Sequence, residues 1–284
     1  MEIARTISEL RDRIGAAREK RCKIGCVPTM GALHAGHLSL VAECRQRVDY
    51  TVLTIFVNPT QFAPTEDLSR YPRPLEADLT ACRQAEVDCV YLPEIEALYP
   101  SGYDTWVEVD GMSRILEGEY RPMHFRGVTT IVAKLFNIVQ PDVACFGAKD
   151  YQQQTMLRKM VQDLNFPIEM VICPTLREPD GLAMSSRNVY LSPEERQQAL
   201  VIFRTLQQAK TAFLLGHDPA VIEAEMRAQL QSIPNVSPQY AVLRDPETLE
   251  PLMAGAQHAV ALIAAKVGET RLIDNLTMTV GEPI

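Results

Sequence analysis

The sequence contains no long hydrophobic run. Its longest uninterrupted apolar stretch, Ala259–Ala265, is far too short to cross a bilayer. The first residues lead into a charged segment instead of an apolar one, so we expect no signal peptide. These two features predict a cytosolic protein that does not bind a membrane.

An excess of positive charge is also missing. Lysine and arginine number 28 against 36 aspartate and glutamate residues, which leaves a formal net charge of −8. Tight binding of a polynucleotide needs many phosphate contacts and usually a basic surface, so we expect no nucleic-acid partner. Local basic positions could still bind a small phosphate-bearing ligand.

Cysteines are few and lack the spacing of a metal or redox motif. There are seven, an odd number, and no Cys-x-x-Cys pair occurs. Several lie in apolar, strand-like runs, as Cys145 does. Buried, reduced thiols in a reducing compartment are therefore predicted in preference to disulfides or zinc ligands, which also favours a cytoplasmic location.

The composition, 46% hydrophobic and 23% charged, is typical of a globular protein. The length of 284 residues is enough for about two domains. Short, continuously apolar runs predict strands at 23–28, 50–57, 89–92, 143–146 and 168–171. Amphipathic stretches predict helices at 37–47, 75–85, 127–139 and 152–164. This alternation predicts an α/β fold with a Rossmann-like parallel sheet and helices on both faces.

The pattern changes near Cys173–Thr175. Helix starts follow at Ser192-Pro193 and Asp218-Pro219, and strands are predicted at 240–244, 259–266 and 270–273. We therefore predict two domains, residues 1–175 with the parallel sheet and residues 176–284 as a smaller α+β C-terminal domain.

The segment Val27–Leu40 joins the first predicted strand to the first predicted helix. His34 and His37 are three residues apart, which places both rings on one face at the helix start. Unpaired N–H groups and the helix dipole make such an end an anion site, usually for phosphate. Gly31 and Gly36 allow a ligand close to the backbone. Hydrogen-bonded capping histidines and a two-histidine metal site are the alternatives.

Two further segments follow predicted strands, where parallel sheets place their ligands. In 146–153, Lys149 is a mobile cation suited to a phosphoryl oxygen. In 56–62, the amides of Asn58 and Gln61 could orient a small polar ligand. The alternatives are a plain strand–turn–helix with a surface lysine for 146–153, and turn chemistry around Pro59 for 56–62.

A fourth segment, 182–188, lies just before a capped helix. Ser185, Ser186 and Arg187 could donate several hydrogen bonds to a polyphosphate. The alternative is that this segment is a solvated loop, in which such residues are also common. Four segments with phosphate- or hydroxyl-binding groups are together much harder to dismiss than any one of them.

In this order the motifs resemble those of the His-Ile-Gly-His nucleotidyltransferase superfamily, whose second signature is matched here by Met184–Arg187. Five stretches together look like the pantothenate synthetase (pantoate–β-alanine ligase) family, over about residues 3–280: Pro28–His37, Phe56–Phe62, His124–Val128, Phe146–Gln153 and Arg177–Asn188. Met123 departs from the usual glycine, and Leu176 stands where valine is expected.

The resemblance implies an ATP site made of several short segments. They comprise Met30, Gly31, Ala32, Leu33, His34, Ala35, Gly36, His37, Gly147, Ala148, Lys149, Asp150, Leu176, Met184, Ser185, Ser186 and Arg187. Gln61 and Gln153 are the implied pantoate-binding residues, and Gln61 also borders β-alanine. His37, His34 and Lys149 are the implied catalytic groups. The resemblance also implies His37 as the family's proposed proton donor, with a fixed hydrogen-bond donor to phosphate oxygens as the alternative role.

The implied reaction joins pantoate to β-alanine through a pantoyl adenylate, with ATP as substrate and Mg²⁺ as its companion. Asp78 is a candidate outer ligand of that ion, or simply a solvated aspartate. A homodimer is implied, with residues 176–284 as a lid and Pro59–Pro74 and Ser185–Asn188 as mobile covers. Another nucleotidylyltransferase of the superfamily and a non-catalytic ATP-sensing module remain the alternative functions.

Overall fold

A computed structural model describes residues 1–64, 66–253 and 255–282. The chain divides into two compact units. The first combines Met1–Ala148 with Gln152–Pro174, and the second combines Lys149–Tyr151 with the chain from Thr175 onward. Lys149 therefore groups with the second unit, although the strand that precedes it belongs to the first.

The first unit contains a parallel sheet of six strands within the described residues. They are β1 (Glu2–Ala4), β2 (Ile24–Thr29), β3 (Tyr50–Ile55), β4 (Cys89–Tyr91), β5 (Val143–Gly147) and β6 (Glu169–Cys173). The strand order is β1-β4-β3-β2-β5-β6. Strand β2 pairs with β3 on one side and β5 on the other, so the chain order reverses around it. Ligands of open α/β sheets bind at such a reversal, beyond the carboxyl ends of the strands.

Helices cover both faces of this sheet. The α-helices before the second unit are α1 (Ile7–Glu19), α2 (Ala35–Arg45), α3 (Leu75–Gln84), α4 (Ile95–Leu98), α5 (Glu117–Tyr120), α6 (His124–Val139) and α7 (Tyr151–Asp163), among the described residues. Leu10 of α1 and Phe136 of α6 belong to one buried cluster, and Val41 of α2 to another. Of two neighbouring residues of β2, Cys26 belongs to the first cluster and Val27 to the second. The predicted two-sided sheet is thus confirmed.

All predicted strands and helices of this unit are present, with their ends shifted by at most three residues. Strand β1 and helices α1, α4 and α5 have no predicted counterpart. For β1 the reason is that three residues of mixed polarity carry no recognisable strand pattern. The predicted start of α2 at His37 is wrong. That helix begins at Ala35 because His34 caps it.

The second unit is the smaller α+β domain that the sequence predicts. Its strands β7 (Val236–Arg244), β8 (His258–Val267) and β9 (Thr270–Thr279) form an antiparallel sheet in that order. Its helices are α8 (Pro193–Leu214) and α9 (Pro219–Gln231). The Ser192 side chain accepts from the Glu195 N–H in a capping box, as its motif predicts. Within the described residues, no helix combines the length and apolarity needed to cross a membrane.

The last strand is longer than predicted. The pattern suggests an end at Ile273, but β9 continues to Thr279. Asp274 and Asn275 interrupt the apolar pattern at that point, yet both are only 5% exposed. Buried polar groups need partners inside the protein, so this pair marks a place where β9 is tied to other segments.

Met123, the residue that departs from the family glycine, lies immediately before α6 with φ = 72° and ψ = −12°. In this left-handed region a side chain costs about 1–2 kcal/mol that glycine avoids. The Met123 side chain is 59% exposed, so its removal loses little packing.

We therefore expect Met123→Gly to increase the free energy of unfolding by roughly 0.5–1 kcal/mol, after allowing for the greater freedom of glycine in the unfolded chain. Urea unfolding measures this change. Leu215→Gly is the matched control, because Leu215 is also exposed but has φ = −82°. The control should lose stability, and an equal loss in Met123→Gly would contradict the argument.

Candidate active site

The turn after β2 is held tightly against α3. Gly31 has φ = 79°, and a Cβ there would lie 2.9 Å from both Asp78 Oδ2 and Ile55 Cγ2, so only glycine fits. The backbone N–H groups of Ala32 and Leu33 donate to Asp78 Oδ2 and Oδ1 at 2.9 and 2.8 Å. Asp78 is 3% exposed. Its interpretation as a solvated aspartate is therefore wrong, because its carboxylate fixes the turn.

His34 and His37 form a reciprocal cap at the start of α2. The Gly36 N–H donates to His34 Nδ1 at 3.1 Å, and the His34 N–H donates to His37 Nδ1 at 3.3 Å. The ring centroids lie 4.1 Å apart. Because each Nδ1 accepts a backbone proton, each neutral ring carries its own proton on Nε2. The histidines are thus capping residues that can also donate Nε2–H to an anion at this helix N-terminus.

Gln61 ends a 3₁₀ helix, Pro59–Gln61, after β3. Its Oε1 accepts from Asn58 Nδ2 at 3.1 Å, and its Nε2 donates to Met30 Sδ at 2.9 Å. Asn58 Nδ2 also donates to the Gly127 carbonyl at 3.1 Å, and Asn58 is 1% exposed. The structure thus joins two predicted site residues, Met30 and Gln61. Asn58 orients Gln61 from within the protein.

His124, the first residue of α6, supports Gln61 through the backbone. Its Nδ1 lies 2.8 Å from the Gln61 carbonyl, and its Nε2 lies 3.2 Å from Arg121 Nη1. A carbonyl only accepts and a guanidinium only donates, so the neutral ring carries its proton on Nδ1. Arg121 in turn pairs with Glu66 at 2.6 Å. One buried imidazole therefore connects Gln61 to this ion pair.

Burial, with a smaller contribution from the Arg121 charge, lowers the pKa of His124 to about 4, although its hydrogen bond to Gln61 acts in the opposite direction. The unfolded chain, whose histidine pKa is about 6.5, binds more protons than the folded chain between these two values. The stability contribution of neutral His124 is therefore fully present above about pH 6.5 and is lost as the pH falls towards 4.

We expect this loss to reach about 3 kcal/mol. A His124→Gln variant does not titrate, so its free energy of unfolding should fall less steeply between about pH 6.5 and pH 4. Urea unfolding of both proteins at several pH values measures the difference. His217→Gln, which removes an exposed histidine, is the control. A His124→Gln protein with the wild-type pH dependence would contradict the assignment.

Two adjacent glutamines at the start of α7 have different surroundings. Gln152 is 4% exposed, with its Oε1 accepting from the Glu117 N–H at 3.0 Å. Its Nε2 donates to the carbonyls of Met112 and Ile115 at 2.7 and 2.8 Å. Gln152 is therefore structural, whereas Gln153 is half-buried and is the one suited to contact a ligand.

In the second unit, Lys149 and Ser185 line the same small cavity, of about 10 Å³. The Ser185 hydroxyl accepts from the Arg187 N–H at 3.2 Å, and the Met184 N–H donates to the Leu176 carbonyl at 3.0 Å. These contacts order the serine–arginine segment, Met184–Arg187, and place its first serine, Ser185, beside Lys149. The predicted members of the site that belong to this unit are thus close together.

The predicted site residues fall on both units. The first carries Met30–His37, Gln61, Gly147, Ala148 and Gln153, and the second carries Lys149, Asp150, Leu176 and Met184–Arg187. Sequence reasoning missed the supporting roles of His124, Asp274 and Asn275. His124 was visible only as part of a family motif, and the other two only as polar residues inside an apolar strand.

A metal site formed by the protein alone is not supported. Across residues 1–64, 66–253 and 255–282, no group of three or more His, Cys, Asp or Glu side chains could hold an ion. Both oxygens of Asp78 already accept backbone N–H groups, so this residue does not fit the predicted role of outer ligand. The two-histidine metal site, the alternative for His34 and His37, also lacks a third ligand among these described residues.

A parallel sheet with a chain reversal at β2, followed by a helix N-terminus that carries imidazole N–H donors, is the arrangement typical of α/β enzymes that bind phosphate-bearing ligands. Comparison with known proteins gives the particular family. The pantoate-beta-alanine ligase family matches residues 2–277. A pantothenate synthetase of Moorella thermoacetica is 49% identical over 99% of this chain and 100% of its own length.

Solved structures agree. The crystal structure of pantothenate synthetase from Thermus thermophilus is 45% identical, with a TM-score of 0.92 over 97% of this chain and 99% of its own. That of a pantoate-beta-alanine ligase from Francisella tularensis, complexed with beta-gamma ATP and beta-alanine, is 32% identical, with a TM-score of 0.81 over 97% of both chains. The chain belongs to the pantoate–β-alanine ligase family and is a ligase.

Proposed function

We propose that this chain condenses (R)-pantoate with β-alanine in an ATP-dependent reaction that yields pantothenate, AMP and pyrophosphate. The family match along nearly the whole chain supports this, as does a relative solved with beta-gamma ATP and beta-alanine. In the first step the pantoate carboxylate attacks the α-phosphate and pyrophosphate leaves. In the second the β-alanine amine attacks the acyl carbon of pantoyl adenylate, AMP leaves and the amine loses a proton.

The observation that carries the proposal is the histidine pair at the start of α2. Adenylation develops negative charge on the α-phosphate and on the leaving pyrophosphate, so donors placed there beforehand lower the barrier. His34 and His37 are held by their Nδ1 contacts as Nε2–H donors. Lys149 would add a mobile positive charge. One such donor contributes about 3–4 kcal/mol in comparable sites.

The remaining ATP contacts are proposed for residues that have little side chain or several donors. Gly36, which has no side chain, leaves room for a phosphate at the α2 N-terminus, and Gly31 allows the turn that leads to it. Ser185, Ser186 and Arg187 supply hydroxyl and guanidinium donors. Backbone at Met30, Ala32, Leu33 and Ala35, with Gly147, Ala148, Asp150, Leu176 and Met184, completes the proposed site. In this proposal residues 1–175 bind ATP and pantoate, and residues 176–284 act as a lid.

Gln61 and Gln153 are proposed to bind pantoate, with Gln61 also bordering β-alanine. Gln61 is 8% exposed and held by Asn58, so its amide is already oriented. Its Nε2 donates to the Met30 thioether, a weak acceptor that a substrate oxygen can replace. Amides suit the neutral hydroxyls of pantoate better than the charged acceptor of a phosphate-transferring relative.

Three further parts of the proposal concern the setting of the enzyme. Mg²⁺ enters as the complex of ATP, whose phosphate charge it neutralises. Two copies form a homodimer, for which the exposed side chains of Ile115 and Tyr120 offer apolar surface. The enzyme works in the cytoplasm, which fits seven unpaired cysteines.

Exchange of pyrophosphate into ATP tests the first step. Exchange should require pantoate, should not require β-alanine, and should fall in Lys149→Ala. Exchange that instead requires a phosphate-bearing acceptor would identify another nucleotidylyltransferase. Binding of ATP without any exchange would identify a sensing module. Either result would overturn the proposal.

A further inference from the structure

Two adjacent polar residues of β9, Asp274 and Asn275, are among the most buried polar groups of the second unit, each 5% exposed. The reaction proposed above gives neither of them a role. The Asp274 carboxylate accepts from the Asn275 N–H at 2.8 Å, so the two side chains are oriented from one point of the strand. Their other partners lie in two segments of the proposed ATP site.

Asn275 holds the backbone of Lys149. Its Nδ2 donates to the Lys149 carbonyl at 2.7 Å, across 126 residues of sequence. Lys149 precedes α7 and is half-buried, and a lysine side chain has four rotatable bonds. Its ammonium can reach a defined position only if its backbone is fixed. The Asn275 amide provides that fixed point.

Asp274 holds, through Arg177, the hairpin that leads into the serine–arginine segment. The Arg177 guanidinium donates to the two Asp274 oxygens at 2.6 and 3.0 Å, and to the carbonyls of Asn275 and Gly181 at 3.3 and 3.2 Å. Its Cζ also lies 3.9 Å from the centre of the Phe203 ring. A bidentate ion pair that is this strongly buried fixes both the position and the orientation of the Arg177 guanidinium.

Arg177 begins a tight hairpin that leads into that segment. Arg177 and Ala183 form an antiparallel bridge, and the Glu178 N–H donates to the Leu182 carbonyl at 2.8 Å. Met184–Arg187 follows directly. The position of this segment relative to Lys149 is thus set through neighbouring residues of a single strand.

We propose that Asn275 and Asp274 are positioning residues, which set the Lys149 backbone and the Met184–Arg187 segment from one point on β9. This inference rests on the proposed function for the roles of Lys149 and Arg187. It predicts that Asn275 acts on the reaction through Lys149, whereas a buried residue with only a structural role would act independently of that side chain.

A double-mutant cycle separates these roles. Asn275→Ala should lower the kcat of pantoate-dependent pyrophosphate exchange by roughly 10- to 100-fold, the upper figure being the cost of a displacement of about 1 Å. In the Lys149→Ala background the same substitution should change the rate less than about twofold. Asn275→Asp has the same size without the donor and should behave like Asn275→Ala. Thr277→Ala, exposed on the same strand, should behave like wild type.

The same cycle is measured on ATP affinity by calorimetry, which needs no turnover. If Asn275→Ala lowers the exchange rate or the ATP affinity equally with and without the Lys149 side chain, the inference is overturned. It is also overturned if the substitution lowers neither quantity in either protein. Wild-type protein that binds ATP but shows no pantoate-dependent exchange would instead overturn the proposed function. The affinity cycle would still test the coupling between Asn275 and Lys149.

Discussion

Replacing His37 by alanine is expected to slow pantoate-dependent pyrophosphate exchange by about 10²- to 10³-fold. The expected loss follows from the geometry of the cap. His37 Nδ1 accepts the His34 N–H, so the proton of its neutral ring is on Nε2, where it can stabilise charge on a phosphate oxygen. ATP affinity should change less than the rate if that interaction strengthens as charge develops.

A glutamine at the same position distinguishes a fixed donor from a proton donor. Its Nε2 amide can occupy a place similar to imidazole Nε2 and donate a hydrogen bond, but it cannot transfer a proton at neutral pH. A fixed donor therefore predicts that His37→Gln is roughly tenfold or more faster than His37→Ala. A proton donor predicts that both variants are equally slow.

The geometry favours the fixed donor. Protonation of His37 at Nδ1 would place two N–H groups against each other where one hydrogen bond now exists, so the neutral ring is the form that the cap selects. His217→Ala is the control, since His217 is exposed and lies outside the site. Equal rates for the alanine and glutamine variants of His37 would contradict the fixed-donor role.

The fold could be predicted from the sequence because its main elements have strong local patterns. Each buried parallel strand is a short apolar run, and alternate residues of β2 belong to the two buried clusters, as Cys26 and Val27 show. Strand β1 has only three residues and, among the strands that the structure describes, pairs only with β4, so its place depends on tertiary contacts that no local pattern records. Strand β9 was predicted too short for a related reason, since Asp274 is satisfied by a distant arginine.

The sequence proposes the residue types of the candidate site but not the residues that support them. Motif order identifies His34, His37, Gln61 and Lys149 as candidates, because their chemistry suits phosphate and hydroxyl groups. Which imidazole nitrogen carries the proton depends on backbone N–H groups that the sequence does not place. His124 shows the opposite tautomer to His37, because its Nδ1 faces a carbonyl. Only three-dimensional neighbours determine this difference.

Asp78 is the support whose loss should have the largest effect on stability and binding together. Its two oxygens accept the N–H groups of Ala32 and Leu33, in a turn where Gly31 leaves no room for a Cβ. In Asp78→Asn the amide NH₂ would face one of these N–H groups, and two donors cannot bond to each other. One buried donor then stays unsatisfied and two charge-assisted bonds are lost.

We therefore expect Asp78→Asn to lower the free energy of unfolding by about 3 kcal/mol and to weaken ATP binding by roughly tenfold or more. The binding loss follows because Ala32 and Leu33 lead directly into the α2 cap. Glu76→Gln is the matched control, as Glu76 lies in the same first turn of α3 but is exposed. Urea unfolding and calorimetric titration with ATP measure the two effects.

The two effects need not occur together, and their separation is informative. Loss of stability with unchanged ATP affinity would show that other contacts hold the α2 cap in place, and the anion site would then not depend on this turn. Unchanged stability would show that Ala32 and Leu33 find other acceptors, which is hard to reconcile with their distances of 2.9 and 2.8 Å to a carboxylate that is 3% exposed. Loss of both is the result that a carboxylate-fixed anion site requires.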